Sequence, residues 1–292
     1  MPHLAYVNGR FVPHDRAAVH IEDRGFQFAD GVYEVVTILG GRTVDEDGHL
    51  DRLDRSLSEL EISKPMERSA LKLLMHELVR RNRLEEGILY IQVTRGVAPR
   101  DFRFPRGVHA TLVMTTRRQN HSVVPAAETG VRVVTVPEIR WARRDIKSVG
   151  LLAQVLAKQA AAKVGAFEAW MVDDDGFVTE GASSNAWIVT KDGVLVTRQA
   201  DHSILKGITG NAIAALAEEI NLRIERRPFT PAEAYEAREA FLTSATTFCL
   251  PIVEIDGHSI ANGHPGGIAT QLRAGYLDYA RKRQSAPFKW RY

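Results

Sequence analysis

A lysine and a glutamate are the two side chains of this sequence that are best suited to chemistry. Lys147 lies between a short polar step and an apolar stretch, and Glu180 opens a turn of small residues at 181–185. A desolvated lysine can be held partly neutral and can then attack an aldehyde. An electron-sink cofactor such as pyridoxal phosphate needs that lysine for its Schiff base, and a carboxylate that keeps its ring nitrogen protonated. Lys147 and Glu180 could supply both roles, although their spacing alone favours a surface lysine beside a loop glutamate.

Three other segments could bind a phosphate group. Gly207-Ile208-Thr209-Gly210 precedes a predicted helix, where main-chain N–H groups and the helix dipole favour an anion. Residues 244–247 form a hydroxyl-rich turn after a predicted strand, and Arg52 on a helix face could contact a phosphate with two hydrogen bonds. Each signal is weak by itself. A plain helix cap, ordinary loop chemistry and a surface ion pair between Arg52 and a neighbouring aspartate explain them at least as well.

The elements that must position these residues alternate between strands and helices in both halves of the chain. Asn8-Gly9 between two apolar runs predicts a hairpin, because this pair adopts the positive φ angles of a tight turn. Helical spacing of apolar residues predicts helices over 49–60, 70–81, 151–164, 209–220 and 268–283. Apolar, β-branched runs predict strands over 4–7, 10–12, 32–39, 88–93, 108–114, 131–136, 168–172, 186–190, 193–196, 241–243 and 252–255. The interleaving indicates an α/β (mixed α+β) fold.

Composition excludes several classes of protein. The chain has 292 residues, 45% of them hydrophobic and 25% charged, which is ordinary for a globular protein. Its net charge of +2 provides no strong field for nucleic acid or an anionic membrane. Cys249 is the only cysteine, so an intrachain disulfide and a cysteine-based zinc cluster are excluded, and we expect no metal. We find neither a signal peptide nor an apolar run of about 20 residues, and therefore expect a cytoplasmic protein.

A series of short motifs follows one order along the chain. The blocks are Glu22-Asp23-Arg24-Gly25-Phe26-Gln27-Phe28-Ala29-Asp30-Gly31-Val32-Tyr33-Glu34-Val35, His49-Leu50-Asp51-Arg52-Leu53, Gln92-Val93-Thr94-Arg95-Gly96 with Pro99-Arg100, Asp145-Ile146-Lys147-Ser148, Leu156-Ala157-Lys158-Gln159, Thr179-Glu180-Gly181, Leu205-Lys206-Gly207-Ile208-Thr209 and Pro251-Ile252-Val253-Glu254. With this series, the chain resembles the class IV (fold type IV) pyridoxal-phosphate aminotransferases over nearly its whole length. Within that family it is most similar to the bacterial D-amino-acid (D-alanine) transaminases.

The resemblance implies a transaminase that moves an amino group from a D-amino acid such as D-alanine to a 2-oxo acid such as 2-oxoglutarate. It implies Lys147 as the Schiff-base lysine and proton shuttle, with Lys206 as the rival amine, and Glu180 as the partner of the pyridine nitrogen. The residues implied for the cofactor phosphate are Arg52, Ile208, Thr209 and Thr246. Leu205 would pack on the ring, and Tyr33 and Arg100 would line the substrate pocket and hold the α-carboxylate.

The resemblance also implies the organisation of the chain. We expect a small N-terminal α/β domain over 1–118, a polar, proline-containing linker over 119–129, and a larger pyridoxal-phosphate-binding C-terminal domain over 130–292. Members of the family form homodimers, so a homodimer is expected.

One departure from the family pattern bears on the substrate. Relatives with the well-described D-alanine pattern have a histidine two positions after the arginine that corresponds to Arg100, whereas this chain has Phe102. A phenyl ring cannot donate a hydrogen bond to a carboxylate. Phe102 therefore predicts looser carboxylate binding and a broader substrate range.

Three alternatives remain open. Aminodeoxychorismate lyase and branched-chain L-amino-acid transaminase use the same scaffold, although the Asn-Tyr pair that follows the lysine in the latter is replaced here by Gly150-Leu151. The third is a non-catalytic, anion-binding module, which would be colourless and would not need Lys147.

Overall fold

The computed structural model describes residues 3–121 and 124–282. Their contacts divide the chain into two compact units. The first unit comprises the described residues within 1–121, 146–150 and 280–282, and the second comprises those within 122–145 and 151–279. Residues 146–150 therefore belong to the first unit, whereas the segments on both sides of them belong to the second. The predicted boundaries at 118 and 130 remain a prediction.

The first unit is built on a six-stranded antiparallel sheet. Its strands are β1 (Leu4–Val7), β2 (Arg10–Pro13), β3 (Gly31–Leu39), β4 (Arg42–Thr43), β5 (Gly87–Thr94) and β6 (Thr111–Arg118). Their spatial order is β2-β1-β6-β5-β3-β4. The predicted hairpin is confirmed, because Asn8 and Gly9 connect β1 to β2 with φ angles of 41° and 91°.

Among the described residues, three α-helices accompany this sheet, besides a 3-10 helix at His14–Arg16. They are α1 (Arg24–Phe28), α2 (Glu46–Glu59) and α3 (Arg68–Arg81). The helices predicted over 49–60 and 70–81 are confirmed as α2 and α3. The leucines Leu50, Leu53 and Leu57 of α2 are 1% exposed and pack in one hydrophobic core with the strands. Helix α1, which no prediction included, has only five residues and is therefore too short for a helical periodicity.

The second unit contains a nine-stranded mixed sheet. Its strands are β7 (Val131–Pro137), β8 (Glu168–Val172), β9 (Val178–Gly181), β10 (Asn185–Val189), β11 (Leu195–Thr197), β12 (Ile224–Arg226), β13 (Glu239–Ser244), β14 (Phe248–Ile255) and β15 (His258–Ser259). The main path runs β12-β11-β10-β13-β14-β7-β8-β9, and β15 pairs with β14. Strand β7 lies parallel to both β14 and β8.

Five helices belong wholly or mainly to this unit. They are α4 (Pro125–Thr129), α5 (Leu152–Lys163), α6 (Ile208–Glu219), α7 (Pro231–Tyr235) and α8 (Gly267–Lys282). The helices predicted over 151–164, 209–220 and 268–283 are confirmed as α5, α6 and α8, although Arg283 lies outside the described residues. The intermixed strands and helices of both units confirm the α/β (mixed α+β) fold class.

Two sequence predictions of element bounds require correction. The strand predicted over 108–114 is β6 at Thr111–Arg118, because β6 follows the register of β5 as far as the pair Gly87 and Arg118. Glu180 and Gly181, which the sequence predicts to open a turn, are the last two residues of strand β9. Its four residues are all buried in the sheet, so they show no alternation of apolar and polar side chains.

Candidate active site

Lys147 lies on a short segment that pairs with the start of β3. The N–H of Tyr33 donates to the carbonyl of Lys147 at 3.0 Å, and the N–H of Val149 donates to the carbonyl of Gly31 at 3.0 Å. Ile146, beside the lysine, is buried in the hydrophobic core of the first unit. The main chain of Lys147 is therefore fixed by the sheet on one side and by a core residue on the other.

The side chain of Lys147 lies on an aromatic surface. Its Nζ is 4.3 Å from the centroid of the Tyr33 ring, and Tyr33 stacks on Tyr90 with a centroid separation of 5.6 Å. Burial and the neighbouring Tyr33 raise the pKa of Tyr90 to about 12, so this ring remains neutral at physiological pH. Among the described residues, no carboxylate forms an ion pair with Lys147. The structure thus brings two predicted site residues together and leaves the amine without a competing counter-ion.

Arg52 forms an ion pair with a buried glutamate on the sheet of the first unit. Its Nε and Nη2 donate to the two carboxylate oxygens of Glu34 on β3, at 2.6 and 2.9 Å. Glu34 is fully buried and also accepts from His49 Nδ1 at 2.8 Å. Burial acts to raise the pKa of Glu34, but Arg52 and His49 outweigh it and hold that pKa far below its usual range. Helix α2 therefore directs Arg52 toward a buried carboxylate of the sheet.

Arg100 lies on an irregular, exposed loop of the first unit. Its guanidinium carbon is 4.6 Å from the centroid of the Phe28 ring and 5.9 Å from that of Phe102. Phe102 is 83% exposed. The guanidinium of Arg100 therefore contacts one ring of α1, Phe28, and lies near a second ring, Phe102, on its own loop.

Glu180 is buried on β9 in the second unit. Its Oε1 accepts from Arg140 Nη1 at 2.6 Å and from the N–H of Leu205 at 3.1 Å, and its Oε2 accepts from Asn185 Nδ2 at 2.9 Å. These charge-assisted contacts stabilise the ionised carboxylate. The structure thereby joins two further predicted residues, Glu180 and Leu205.

From the sequence, the basic stretch at 140–144 is interpreted as a solvated face or an anion-binding edge, which does not identify Arg140 as a site residue. Besides Glu180, its guanidinium contacts both oxygens of Glu138, including Nη2 to Oε2 at 2.5 Å. Burial acts to lower the pKa of Arg140, but Glu180 and Glu138 raise it above its ordinary value. Burial likewise acts to raise the pKa of Glu138, which Arg140 lowers overall. The sequence signal for this network is the pair of opposite charges at Glu138 and Arg140. Such pairs are common on protein surfaces, and the sequence does not show that Glu180 joins them.

Asn185 ties Glu180 to the segment before α6. Its Nδ2 donates to the carbonyl of Leu205 at 3.0 Å as well as to Glu180. Its Oδ1 lies so close to Gly207 that an added Cβ there would approach it to 2.0 Å. Gly207 is therefore required by this close approach, and Asn185 is a second residue of the site that sequence reasoning did not select.

Helix α6 begins with main-chain donors that have no protein acceptor. Gly207 is its N-cap residue and provides no side-chain cap, and the first helical hydrogen bond is that of Asn211 N–H to the Gly207 carbonyl at 3.1 Å. Within the described residues, the N–H groups of Ile208, Thr209 and Gly210 make no hydrogen bond. Main-chain N–H groups without an acceptor, together with the helix dipole, form an anion-binding site.

The turn that contains Thr246 lies beside this helix end. A Cβ added at Gly210 would lie 3.4 Å from Oγ1 of Thr243, just before the turn. Within the turn, Ser244 Oγ accepts from the N–H of Thr247 at 3.2 Å and is 3.2 Å from Thr246 Oγ1. The structure therefore places Thr243, which precedes this turn, next to the first turn of α6.

Arg273 on α8 fixes the same turn. It is 8% exposed, and its Nη1 donates to the carbonyls of Thr247 and Cys249 at 2.7 and 3.0 Å. Sequence reasoning gave this arginine no role, since it lies in a helix more than twenty positions after the turn.

The donors and acceptors of these residues fit pyridoxal phosphate. The orphan N–H groups of α6 suit its phosphate, the buried carboxylate of Glu180 suits a protonated ring nitrogen, and the Lys147 amine suits its aldehyde. The candidate residues fall into two groups, one in each unit. Lys147, Tyr33, Arg52 and Arg100 belong to the first unit, and Glu180, Leu205, Ile208, Thr209 and Thr246 belong to the second.

Comparison with known proteins identifies the family. Residues 31–255 match the family model of the amino-transferases of class IV, so the chain belongs to that family. It is a pyridoxal-phosphate-dependent aminotransferase.

Its relatives include enzymes with a named substrate. The chain is 40% identical to the D-alanine aminotransferase of Bacillus licheniformis over 266 residues, which cover 91% of this chain and 93% of the relative. It is 35% identical to the D-alanine aminotransferase of Staphylococcus haemolyticus over 96% of this chain and 99% of the relative.

Solved structures share the fold. The branched-chain amino acid aminotransferase of Escherichia coli superposes with a TM-score of 0.89 at 21% identity, covering 96% of this chain and 95% of that one. A second branched-chain amino acid aminotransferase, from T.th. and solved with pyridoxamine 5'-phosphate, gives 0.89 at 24% identity, covering 97% and 95%. At this identity the likeness establishes the fold alone, and it confirms fold type IV. None of the described helices is both long and apolar enough to cross a membrane.

Proposed function

We propose that this aminotransferase transfers the amino group of a D-amino acid, such as D-alanine, to a 2-oxo acid such as 2-oxoglutarate. The observation that carries the proposal is the identity of 35–40% to D-alanine aminotransferases over nearly the full length of both chains. The retention of Arg100 and Tyr33 at the positions implied for the substrate carboxylate supports it.

Lys147 is the proposed catalytic base. When bound, pyridoxal phosphate supplies an electron sink for the charge left at the substrate Cα. Lys147 Nζ would take the proton from the Cα of the amino donor and pass it to the cofactor's C4′ carbon within the same half-reaction, and in the second half-reaction it would move a proton in the opposite direction, to the Cα of the new amino acid. The Tyr33 ring, 4.3 Å from Nζ, restricts the directions from which the amine can approach.

Glu180 is the proposed partner of the cofactor's ring nitrogen. Arg140, Asn185 and the N–H of Leu205 together hold its carboxylate ionised and fixed. An ionised carboxylate keeps a proton on the ring nitrogen, whereas a protonated carboxyl group could not. Leu205, whose N–H donates to Glu180, is the proposed residue that packs on the ring.

The phosphate is proposed to bind to Ile208, Thr209, Thr246 and Arg52. The N–H groups of Ile208 and Thr209 and the hydroxyls of Thr209 and Thr246 supply neutral donors, and Arg52 adds a positive charge. The ion pair with Glu34 holds the Arg52 guanidinium in one orientation, which reduces the entropy lost when an anion binds.

A homodimer and two domains are part of the same proposal. Exposed leucine and valine side chains on α5 support an association surface, since Leu152, Val155 and Leu156 are 72, 59 and 54% exposed. Light scattering of the wild type and of Val155→Glu tests this, and a wild-type monomer would reject it.

The two contact units support the division at 1–118 and 130–292, and the predicted linker at 119–129 should be the first site of limited proteolysis. The cytoplasmic location remains a prediction.

One substrate panel tests the proposed activity. The purified holoenzyme is given D-alanine or L-leucine with 2-oxoglutarate, and separately aminodeoxychorismate. We expect pyruvate and glutamate from D-alanine to dominate. Faster turnover of L-leucine, or release of pyruvate from aminodeoxychorismate alone, would instead support the branched-chain or lyase alternative.

The covalent lysine is tested separately. Borohydride reduction of the holoenzyme followed by peptide mass spectrometry should locate the cofactor on Lys147. Lys206→Met is the matched control, because Lys206 is the rival amine and is exposed. Cofactor on the peptide with Lys206 would overturn the assignment, and a colourless protein without bound cofactor would favour the anion-binding module.

A further inference from the structure

The ring of Phe28 is the centre of a small cluster in the first unit. Its centroid is 4.6 Å from the guanidinium carbon of Arg100, 4.7 Å from that of Arg24 and 5.5 Å from the centroid of Phe102. Arg100 forms no ion pair with any described carboxylate. The position of the Arg100 guanidinium is therefore restricted by its contacts with the rings of Phe28 and Phe102.

Phe28 itself is held on a rigid support. Asp23 caps α1 by accepting from the N–H of Gly25 at 2.9 Å, and its other oxygen accepts from Thr94 Oγ1 at 3.0 Å. A Cβ at Gly25 would lie 2.2 Å from Thr94 Cγ2, so the helix lies directly on the end of β5. Ala29, with φ of 56°, ends the helix immediately after Phe28. The position of the ring is thus set by the sheet.

The loop of Arg100 is attached to the same helix. Nη1 of the buried Arg24 donates to the carbonyl of Asp101 at 2.6 Å, and its Nε donates to Asp30 at 2.8 Å. This fixes the main chain one residue after Arg100, while Phe28 contacts the side chain of Arg100 itself. Residues of α1 therefore contact both the main chain of the loop, at Asp101, and the guanidinium of Arg100.

Stacking and carboxylate binding use different parts of a guanidinium. A ring covers the flat face, whereas the N–H donors that grip a carboxylate with two hydrogen bonds point outward in the plane. Phe28 can therefore orient Arg100 without competing for its donors. An exposed cation–π contact is worth about a two- to fivefold change in an equilibrium constant.

We propose that Phe28 is a positioning residue that orients Arg100 toward the α-carboxylate of the substrate, with Phe102 as a second and more distant contact. This inference rests on the proposed function, in which Arg100 binds that carboxylate. Phe102, which the family resemblance places where D-alanine relatives have a histidine, adds a ring contact to Arg100 and no hydrogen-bond donor.

The test compares two substrates that differ in the carboxylate. D-Alanine carries it, and D-alaninol replaces it with an alcohol. Phe28→Leu removes the ring but keeps an apolar side chain, Phe28→Tyr keeps the ring, and Phe28→Met is the second variant if the leucine variant does not fold. Phe26→Leu is the matched control, since Phe26 lies on the same helix, is 74% exposed and makes no ring contact with a described residue.

We expect Phe28→Leu to raise KM for D-alanine about two- to fivefold with kcat retained. The apparent affinity for D-alaninol in the spectroscopic half-reaction should not change. Phe28→Tyr and Phe26→Leu should behave as the wild type. An equal loss for both substrates would show a merely structural role and overturn the inference.

Arg100→Ala separates this inference from the proposed function. If Arg100→Ala raises KM for D-alanine while Phe28→Leu does not, the inference fails and the proposed function stands. If neither variant changes KM, both the carboxylate assignment and the inference fail.

Discussion

The contribution of Arg140 to the stability of the second unit should depend on pH, and Arg140→Met tests this. The guanidinium is buried and serves two buried carboxylates, Glu138 and Glu180, at contact distances of 2.5 and 2.6 Å. Removing one partner of a buried ion pair costs about 3–5 kcal/mol, because the other charge stays buried without compensation. Both carboxylates lose this partner, but Glu138 keeps Arg144 at 3.5 Å and Glu180 keeps Asn185 and the N–H of Leu205. We therefore expect a loss in the middle of that range, about 4 kcal/mol, at pH 8.

The loss should become smaller in acid. In the wild type the pKa of Glu138 is lowered, so its stabilising contribution is complete above the ordinary carboxyl range and is lost only as pH falls through the lowered value. Without Arg140, burial raises the pKa of both carboxylates. They then take up protons as pH falls toward 5, and part of the penalty disappears. The destabilisation by Arg140→Met should therefore be larger at pH 8 than at pH 5.

Urea unfolding of the apoprotein measures this difference. Three of the four tryptophans of the sequence, Trp141, Trp170 and Trp187, lie in the second unit. In a Trp290→Phe background the tryptophan fluorescence therefore reports on that unit. With a slope of about 2 kcal/mol per molar urea, a loss of about 4 kcal/mol lowers the midpoint by about 2 M.

Two further variants make the measurement decisive. Glu138→Gln in the Arg140→Met background should restore part of the midpoint, because one buried charge is removed. Lys191→Met is the control, since Lys191 and Glu236 form an exposed pair whose loss should leave the midpoint unchanged. A shift for Arg140→Met that is equal at both pH values, or no larger than that of Lys191→Met, would refute the reasoning.

The remaining predictions concern the site itself. Lys147→Ala should abolish steady-state transamination and leave only non-covalently bound cofactor, and turnover in this variant would mean that another amine is the base. Glu180→Gln should keep the fold, as judged by circular dichroism, but lower kcat about 10²-fold or more, whereas a near-normal rate would make the carboxylate structural. Arg52→Ala should raise the Kd for pyridoxal phosphate more than it lowers kcat at saturating cofactor. It should also destabilise the apoprotein by about 3–5 kcal/mol in thermal or urea unfolding, since Glu34 stays buried, and unchanged stability would contradict the ion pair. Phe102→His should lower KM for D-alanine because it adds a hydrogen-bond donor for the carboxylate. An unchanged KM would show that the missing donor at position 102 does not weaken binding of the carboxylate.

The sequence by itself determined the features that depend on neighbours within a few positions. The Asn8-Gly9 turn follows from the positive φ angles these two residues tolerate, and the start of α6 follows from the apolar period that begins after Gly207. Both are confirmed in the structure. The anion-binding potential of Ile208 and Thr209 could be predicted for the same reason, because the first N–H groups of any helix lack a partner.

Only the tertiary structure decided which charged groups meet. Arg52 has aspartates beside it in the sequence, yet it binds Glu34, because α2 packs its inner face on β3. Arg140 reaches Glu180 forty positions away. Such pairs depend on strand order and register, and a shift of one residue would turn each side chain to the opposite face of the sheet.

The sequence also does not show which aromatic residues orient the amine of Lys147 and the guanidinium of Arg100. The sequence identified Lys147 and Arg100 by type and motif, but it gave no sign that Tyr33 lies under the lysine amine or that Phe28 lies against the arginine. Aromatic side chains in strands and short helices normally indicate a core. Whether a ring instead supports a functional cation depends on which loop the fold brings over it, and the chain's local pattern does not encode this.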